Sequence, residues 1–173
     1  MLNLLFRLLL TSNSLFIFFI MYGVKAHIWI PKLGIYTLII YFLIPVIISF
    51  LCLKLSHSLS HDSIEEVRNI EIGSESYAAV YLGYFFVAVG IPDNDIVVLL
   101  FSFIMLFLFT FFSQAQYYNP IFLLLGFKFY GITKTNGVKI FVISRKKLHG
   151  TEGLRFTDLR RINDFTYIDV DEG

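Results

Sequence analysis

The sequence predicts a membrane α-helical protein: four transmembrane helices, both termini cytoplasmic, and a small β-rich cytoplasmic domain at the C-terminus. Three observations predict it. Of 173 residues, 57% are hydrophobic and only 16% are charged, where a soluble domain carries about 25% charge. The charges are segregated, leaving four long stretches without Asp, Glu, Lys or Arg. Near the C-terminus, Asn136-Gly137 separates two β-type runs, a strong hairpin signal. This balance excludes an ordinary cytosolic globular domain, and the 20 Phe exclude a disordered chain. The net charge of +1 by itself points to no nucleic-acid partner. Cys52 is the single cysteine, so no intramolecular disulfide forms.

The charge-free stretches are residues 8–24, 33–53, 76–92 and 96–127. A bilayer-spanning helix needs about 20 mostly apolar residues. The first stretch contains Thr11-Ser12-Asn13-Ser14, which must bond to backbone or to a neighbouring helix. That polar block does not suit a signal-peptide core, so the stretch reads as an uncleaved span. In the second, Pro45 removes a backbone donor and is expected to kink the helix. Tyr22, Trp29 and Tyr36 suit the adjoining membrane interface. In the third, Ala79 and Gly83 lie four apart on one face and suit interhelical or oligomer packing. The fourth is too long for one span, so the span is placed at about residues 96–113. Residues 121–125 then lie at the interface or beneath a soluble domain.

The resulting domains are residues 1–53, a first transmembrane hairpin, and 54–75, a cytoplasmic acidic loop. Residues 76–125 form a second hairpin with an interfacial segment, and 126–173 a cytoplasmic β-rich domain. Of the 14 Lys and Arg, 12 fall on the side of the termini and only Lys25 and Lys32 on the other. Basic loops stay cytoplasmic, so both termini are expected inside.

Ser63-Ile64-Glu65-Glu66 has capping-box spacing and predicts a short helix in the acidic loop. His57 and His61, four apart with Glu65 nearby, would chelate a metal only on a helix, and no metal site is expected. In the tail, a two-residue Asn136-Gly137 turn would pair Ile132 with Phe141 and Tyr130 with Ile143. Apolar pairs on both faces imply that both are covered. Residues 154–156 and 165–169 are further strand candidates, and 157–161 reads as one helical turn capped by Thr157. Arg145-Lys146-Lys147 is a candidate contact for anionic lipid or an acidic partner surface, with Glu65 and Glu66 as acidic counterparts.

No phosphate-binding loop, nucleotide fingerprint or nucleophile elbow is present. No ionisable carboxylate or base lies inside a predicted span, as coupled transport usually requires. The expectation is a protein without catalytic residues, cofactor or metal. A small oligomeric channel or membrane-permeabilising effector is the alternative, with Asn13, Ser14, Ser49 or Ser102 as lining.

Several stretches together resemble the KwaA family, the membrane component of the bacterial Kiwa anti-phage system. They are Tyr81-Leu82-Gly83-Tyr84-Phe85-Phe86-Val87, then Tyr118-Asn119-Pro120-Ile121-Phe122 leading to Gly126-Phe127-Lys128-Phe129-Tyr130. Asn136-Gly137-Val138-Lys139-Ile140 and Arg161-Ile162-Asn163-Asp164-Phe165 follow. The resemblance implies a non-enzymatic inner-membrane sensor and scaffold. It implies homo-oligomers, as homotetramers, that dock a soluble, DNA-binding cytoplasmic partner of the KwaB type. It implies no direct nucleic-acid contact and transfers no catalytic residue.

Overall fold

The computed structural model describes residues 2–28, 30, 32–64, 67–73, 75–113, 119–148 and 154–170. The helices are α1 (Leu2–Lys25), α2 (Thr37–Ser56), α3 (Glu75–Gly90), α4 (Ile96–Phe112) and the short α5 (Pro120–Leu124). The strands are β1 (His61–Ile64), β2 (Val67–Ile72), β3 (Lys128–Lys134), β4 (Lys139–Ser144), β5 (Phe156–Arg161) and β6 (Thr166–Asp169). Trp29, Glu65 and Glu66 lie outside the described residues.

Two apolar helices are long enough to cross a membrane, Leu2–Lys25 and Gly34–Ser56. The apolar segments Ala79–Gly90 and Ile96–Phe112 are shorter. The helix with the most polar sequence sits at the centre. Helix α1 packs against α2, α3 and α4, and Thr11, Asn13 and Ser14 are all buried. Asn13 Nδ2 donates to Ser49 Oγ at 2.7 Å, joining α1 to α2. Thr11 Oγ1 and Ser14 Oγ donate to the carbonyls of Arg7 and Thr11. A polar group in an apolar surround needs such partners, so the block is the clasp of the bundle. Tyr84 and Thr110 join α3 to α4 through their hydroxyls at 3.1 Å. At the far end Lys25 pairs with Asp93 at 3.0 Å and donates to the Ile91 carbonyl. Asp95 caps α4 by accepting from the Val98 amide.

The clasp sets a prediction. Asn13→Ala is expected to cost about 1 kcal/mol, within the range of interhelical hydrogen bonds. A double-mutant cycle with Ser49→Ala, read by thermal unfolding in detergent, should return most of that cost as coupling. Additive losses would show that the two side chains act separately.

The six strands form one sheet in the order β1-β5-β6-β4-β3-β2. Its two edges are consecutive in sequence, because β1 ends at Ile64 and β2 starts at Val67. Three peptide steps reach at most about 11 Å. The sheet must therefore curl until its edges nearly meet. Register shifts between Asp62 and Ile64 and between Val67 and Asn69 flank this corner, and bulges are what bend strands. With β1 and β2 taken as halves of one bent strand, the barrel has five strands. Its β4–β6 pair is parallel and its other pairs are antiparallel. That is the connectivity of an OB-type Greek-key barrel.

Three sequence expectations are corrected here. The capping-box helix at Ser63 is absent, since Ser63 lies in β1. Its Ile64 fills the barrel core and Val67 and Ile70 pack against it. Pairing with β5 and β3 outweighs a local cap signal. Residues 157–161 belong to strand β5 for the same reason, with Leu159 opposite Asp169 and Arg160 opposite Ile168. The hairpin register is displaced by one residue, with Ile132 opposite Ile140 and Tyr130 opposite Val142. The loop has three residues: Gly137 N donates to the Lys134 carbonyl, and Lys134 N to the Val138 carbonyl. Only Gly137 of the Asn-Gly pair is left-handed, at φ 84°, as in a type I turn closed by a glycine bulge. This register collects Tyr130, Ile132, Ile140 and Val142 inside the barrel with Phe156, Leu159 and Tyr167.

Gly137→Ala should cost about 1–2 kcal/mol, the penalty of a side chain in the left-handed region. Open space surrounds the position, so the loss would be conformational. The unfolding midpoint should fall by about 2–4 °C per kcal/mol, and an unchanged midpoint would contradict the bulge.

Candidate functional site at the junction of helices and barrel

Both faces of the β3–β4 hairpin are covered, as its apolar pairs imply. One face fills the barrel. The other sends Phe129 and Ile143, with Ile168, onto the ends of the helices. There they meet Phe6 and Leu10 of α1, Cys52 of α2 and Phe122 of α5 in one buried cluster. Helix α5 exists to fill this gap. Asn119, fully buried, caps it by accepting from the Ile121 amide at 2.9 Å. Pro120 is preset for a first helical turn. Gly126, at φ 85°, ends it and turns the chain into β3. The interfacial segment expected near residues 121–125 is this wedge beneath the barrel.

A cavity of about 310 Å³ opens at the rim of the cluster. Phe50, Leu53, Phe127 and Val170 give it apolar walls, and Ser56, His57, Arg145 and Asp169 a polar side. The Arg145 guanidinium lies 4.5 Å over the Phe127 ring, a cation–π contact. Lys146 Nζ stands 3.5 Å from the buried Asp169 carboxylate, which also accepts from Ser144 Oγ at 2.7 Å. The Lys146 carbonyl accepts from Tyr130 Oη at 2.8 Å. Lys147 is exposed. The basic triplet is thus divided: Arg145 serves the cavity, Lys146 the barrel and Lys147 the solvent.

The other sequence candidates fall elsewhere. Ile64 and Val67, flanking the two acidic candidates Glu65 and Glu66, stand at the barrel seam. Ala79 and Gly83 are exposed on the outer face of α3, and a Cβ on Gly83 would meet nothing within 4 Å. Inside the chain α3 packs through Tyr84 and Ala88 instead. His57 caps the C-terminus of α2 while His61 lies in β1, so the helical spacing needed for chelation does not arise. Among the described residues no group of His, Cys, Asp and Glu could hold a metal ion.

The Tyr84–Thr110 pair and the capping role of Asn119 were not read from sequence. Of these only the cap had a local signal, an Asn directly before Pro.

A family model described as anti-phage protein KwaA matches residues 6–168, nearly the whole chain. No curated protein and no solved structure matches it.

Proposed function

The chain belongs to the KwaA family of anti-phage proteins, and we propose that it serves this defence as a non-enzymatic inner-membrane sensor and scaffold. In this reading α1 to α4 all cross the membrane, with both termini cytoplasmic. Copies assemble as a homotetramer and dock a soluble partner of the KwaB type. One observation carries the reading. Helix α1 packs against the other three long helices, and its first turns enter the cluster beneath the barrel through Phe6 and Leu10. A disturbance that shifts the bundle would therefore reach the barrel without a flexible linker, through α1 and the Asn119-capped wedge.

Two further features support it. The face that OB barrels use for oligonucleotides is here the β3–β4 outer face, occupied by its own helices through Phe129 and Ile143. Nucleic-acid contact is accordingly left to the partner. Of the side chains suited to line a pore, Asn13, Ser14 and Ser49 are buried and bonded within one chain, and Ser102 is half-buried. This favours the scaffold over the channel.

Reconstitution into liposomes tests the choice. No ion leak is expected with or without phage-envelope components, and a leak dependent on the protein would overturn the scaffold. Gly83→Leu addresses assembly. Open space at this position predicts an unchanged unfolding midpoint but a loss of oligomer by native mass spectrometry. Intact oligomers would remove Gly83 from the interface. Docking is tested by copurification of the soluble partner with Arg145→Glu and Lys147→Glu, where undiminished capture would remove these two residues from the docking face.

A further inference from the structure

A second cavity, of about 380 Å³, lies where the first turns of α1 meet the β5–β6 turn. Its lining includes Asn3, Leu4, Arg7, Arg161, Asn163 and Asp164. Its polar groups are mostly donors. Arg161 gives one guanidinium nitrogen to Asp164 Oδ1 at 2.9 Å and Nε to the Asn163 carbonyl at 3.3 Å. Asn3 Nδ2 donates to the Arg161 carbonyl. Two donors are left over. Asn163 is 7% exposed; its Oδ1 accepts from the Phe165 amide at 2.9 Å, which fixes the amide orientation, and its Nδ2 has no partner. Arg7 Nε is also buried without a partner. The Arg7 guanidinium lies 4.7 Å over the Phe111 ring and makes one long bond, 3.5 Å, to the Phe111 carbonyl. Among the described residues no carboxylate pairs with Arg7, so the cavity lining carries two arginines and one carboxylate.

A buried donor without a partner carries a penalty of about 1–3 kcal/mol. The residues that carry these two donors wall a cavity with an excess positive charge, which suits an anionic oxygen. Arginine forks suit phosphate oxygens in particular. The surroundings indicate where the phosphate comes from. The charge-free run of α1 begins one residue after Arg7. Leu4, in the cavity wall, is 51% exposed, and Leu5 and Leu8 beside it are exposed as well. Apolar side chains beside a phosphate-binding cavity at the end of an apolar helix suit a phospholipid.

We propose that Arg7, Arg161 and Asn163 form a phosphate-binding site that takes the headgroup of an anionic phospholipid and ties the barrel to the membrane surface. The proposal deepens the membrane reading, on which only the lipid source of the phosphate rests. The site is separate from the Arg145 cavity and uses residues outside the basic triplet.

The test uses full-length protein in detergent, titrated with short-chain phosphatidylglycerol, with phosphatidylcholine as the neutral comparison. Native mass spectrometry reads the adducts, and inorganic phosphate is the competitor. Asn163→Asp is the informative variant: its carboxylate still accepts from the Phe165 amide but replaces the donor with a negative charge. Phosphatidylglycerol occupancy is expected to fall at least about tenfold in Asn163→Asp, and in Arg7→Gln should that variant fail to fold. Phosphatidylcholine should bind weakly, and Lys139→Gln, at an exposed lysine paired with Glu71 and outside the cavity lining, should bind as the parent does. Displacement by inorganic phosphate at equal concentration would keep the phosphate site but remove the lipid source. Parent-level phosphatidylglycerol binding in the folded variants would overturn the site, whatever the liposome conductance shows.

Discussion

Phe122→Ala is expected to lower stability by about 3–5 kcal/mol, the cost of emptying a fully buried aromatic site. Phe122 is 0% exposed and sits in the cluster joining α1, α2 and the barrel. Its ring is 5.5 Å from that of Phe127, across the turn at Gly126. Removing it opens a void between two packed bodies, helices on one side and a curled sheet on the other, so collapse is resisted. The barrel should loosen from its base before the helices separate. Limited proteolysis in detergent would then cut the tail faster than the bundle, and thermal unfolding would lose its single transition. Leu124→Ala, two residues on and 77% exposed, is the comparison and should stay within about 0.5 kcal/mol. Equal effects from the two would mean that α5 does not carry the barrel.

Asp169→Ala should cost about 3 kcal/mol. Asp169 is 3% exposed and holds two groups of β4 and its extension, Ser144 Oγ at 2.7 Å and Lys146 Nζ at 3.5 Å. Hydrogen bonds to a charged group contribute about 1.5–3 kcal/mol, and stripping one partner leaves a charge partly buried. The position matters because β4 and β6 form the parallel pair of the barrel, with Phe141, Val142 and Ile143 opposite Thr166, Tyr167 and Ile168. The Ser144–Asp169 bond extends that short ladder by one position. Asp169→Asn keeps an acceptor for Ser144 but not the charge for Lys146, so about half the loss should remain. The unfolding midpoints of the two variants test this ordering, and equal losses would show that the Ser144 bond contributes nothing.

The helices were legible because charge exclusion from an apolar span is local: the borders at Arg7, Lys25, Lys54 and Asp95 lie close to the ends of α1, α2 and α4. The hairpin was legible from Asn136-Gly137, but its loop length was not. Two- and three-residue loops share that dipeptide, and the register is set by which residues must face the barrel interior. The strands at residues 61–64, 67–72 and 156–161 were missed for a related reason. Isoleucine and leucine at three-residue spacing fit a helix as well as a bulged strand, and only the distant partners of β1, β2 and β5 decide between them.

Sequence alone determined that this chain is rich in apolar residues, and that its charges are segregated from four long charge-free stretches. Both follow from composition along a single dimension. The tertiary structure decided the rest. Thr11, Asn13 and Ser14, which interrupt the first apolar stretch as a sequence, became the central clasp of the bundle once Ser49 of α2 stood opposite. Arg7 reads as a border charge until the turn carrying Arg161 and Asn163, more than 150 residues away in sequence, is folded beside it. Polar groups in an apolar surround take their meaning from their partners, and partners distant in sequence meet only in the fold.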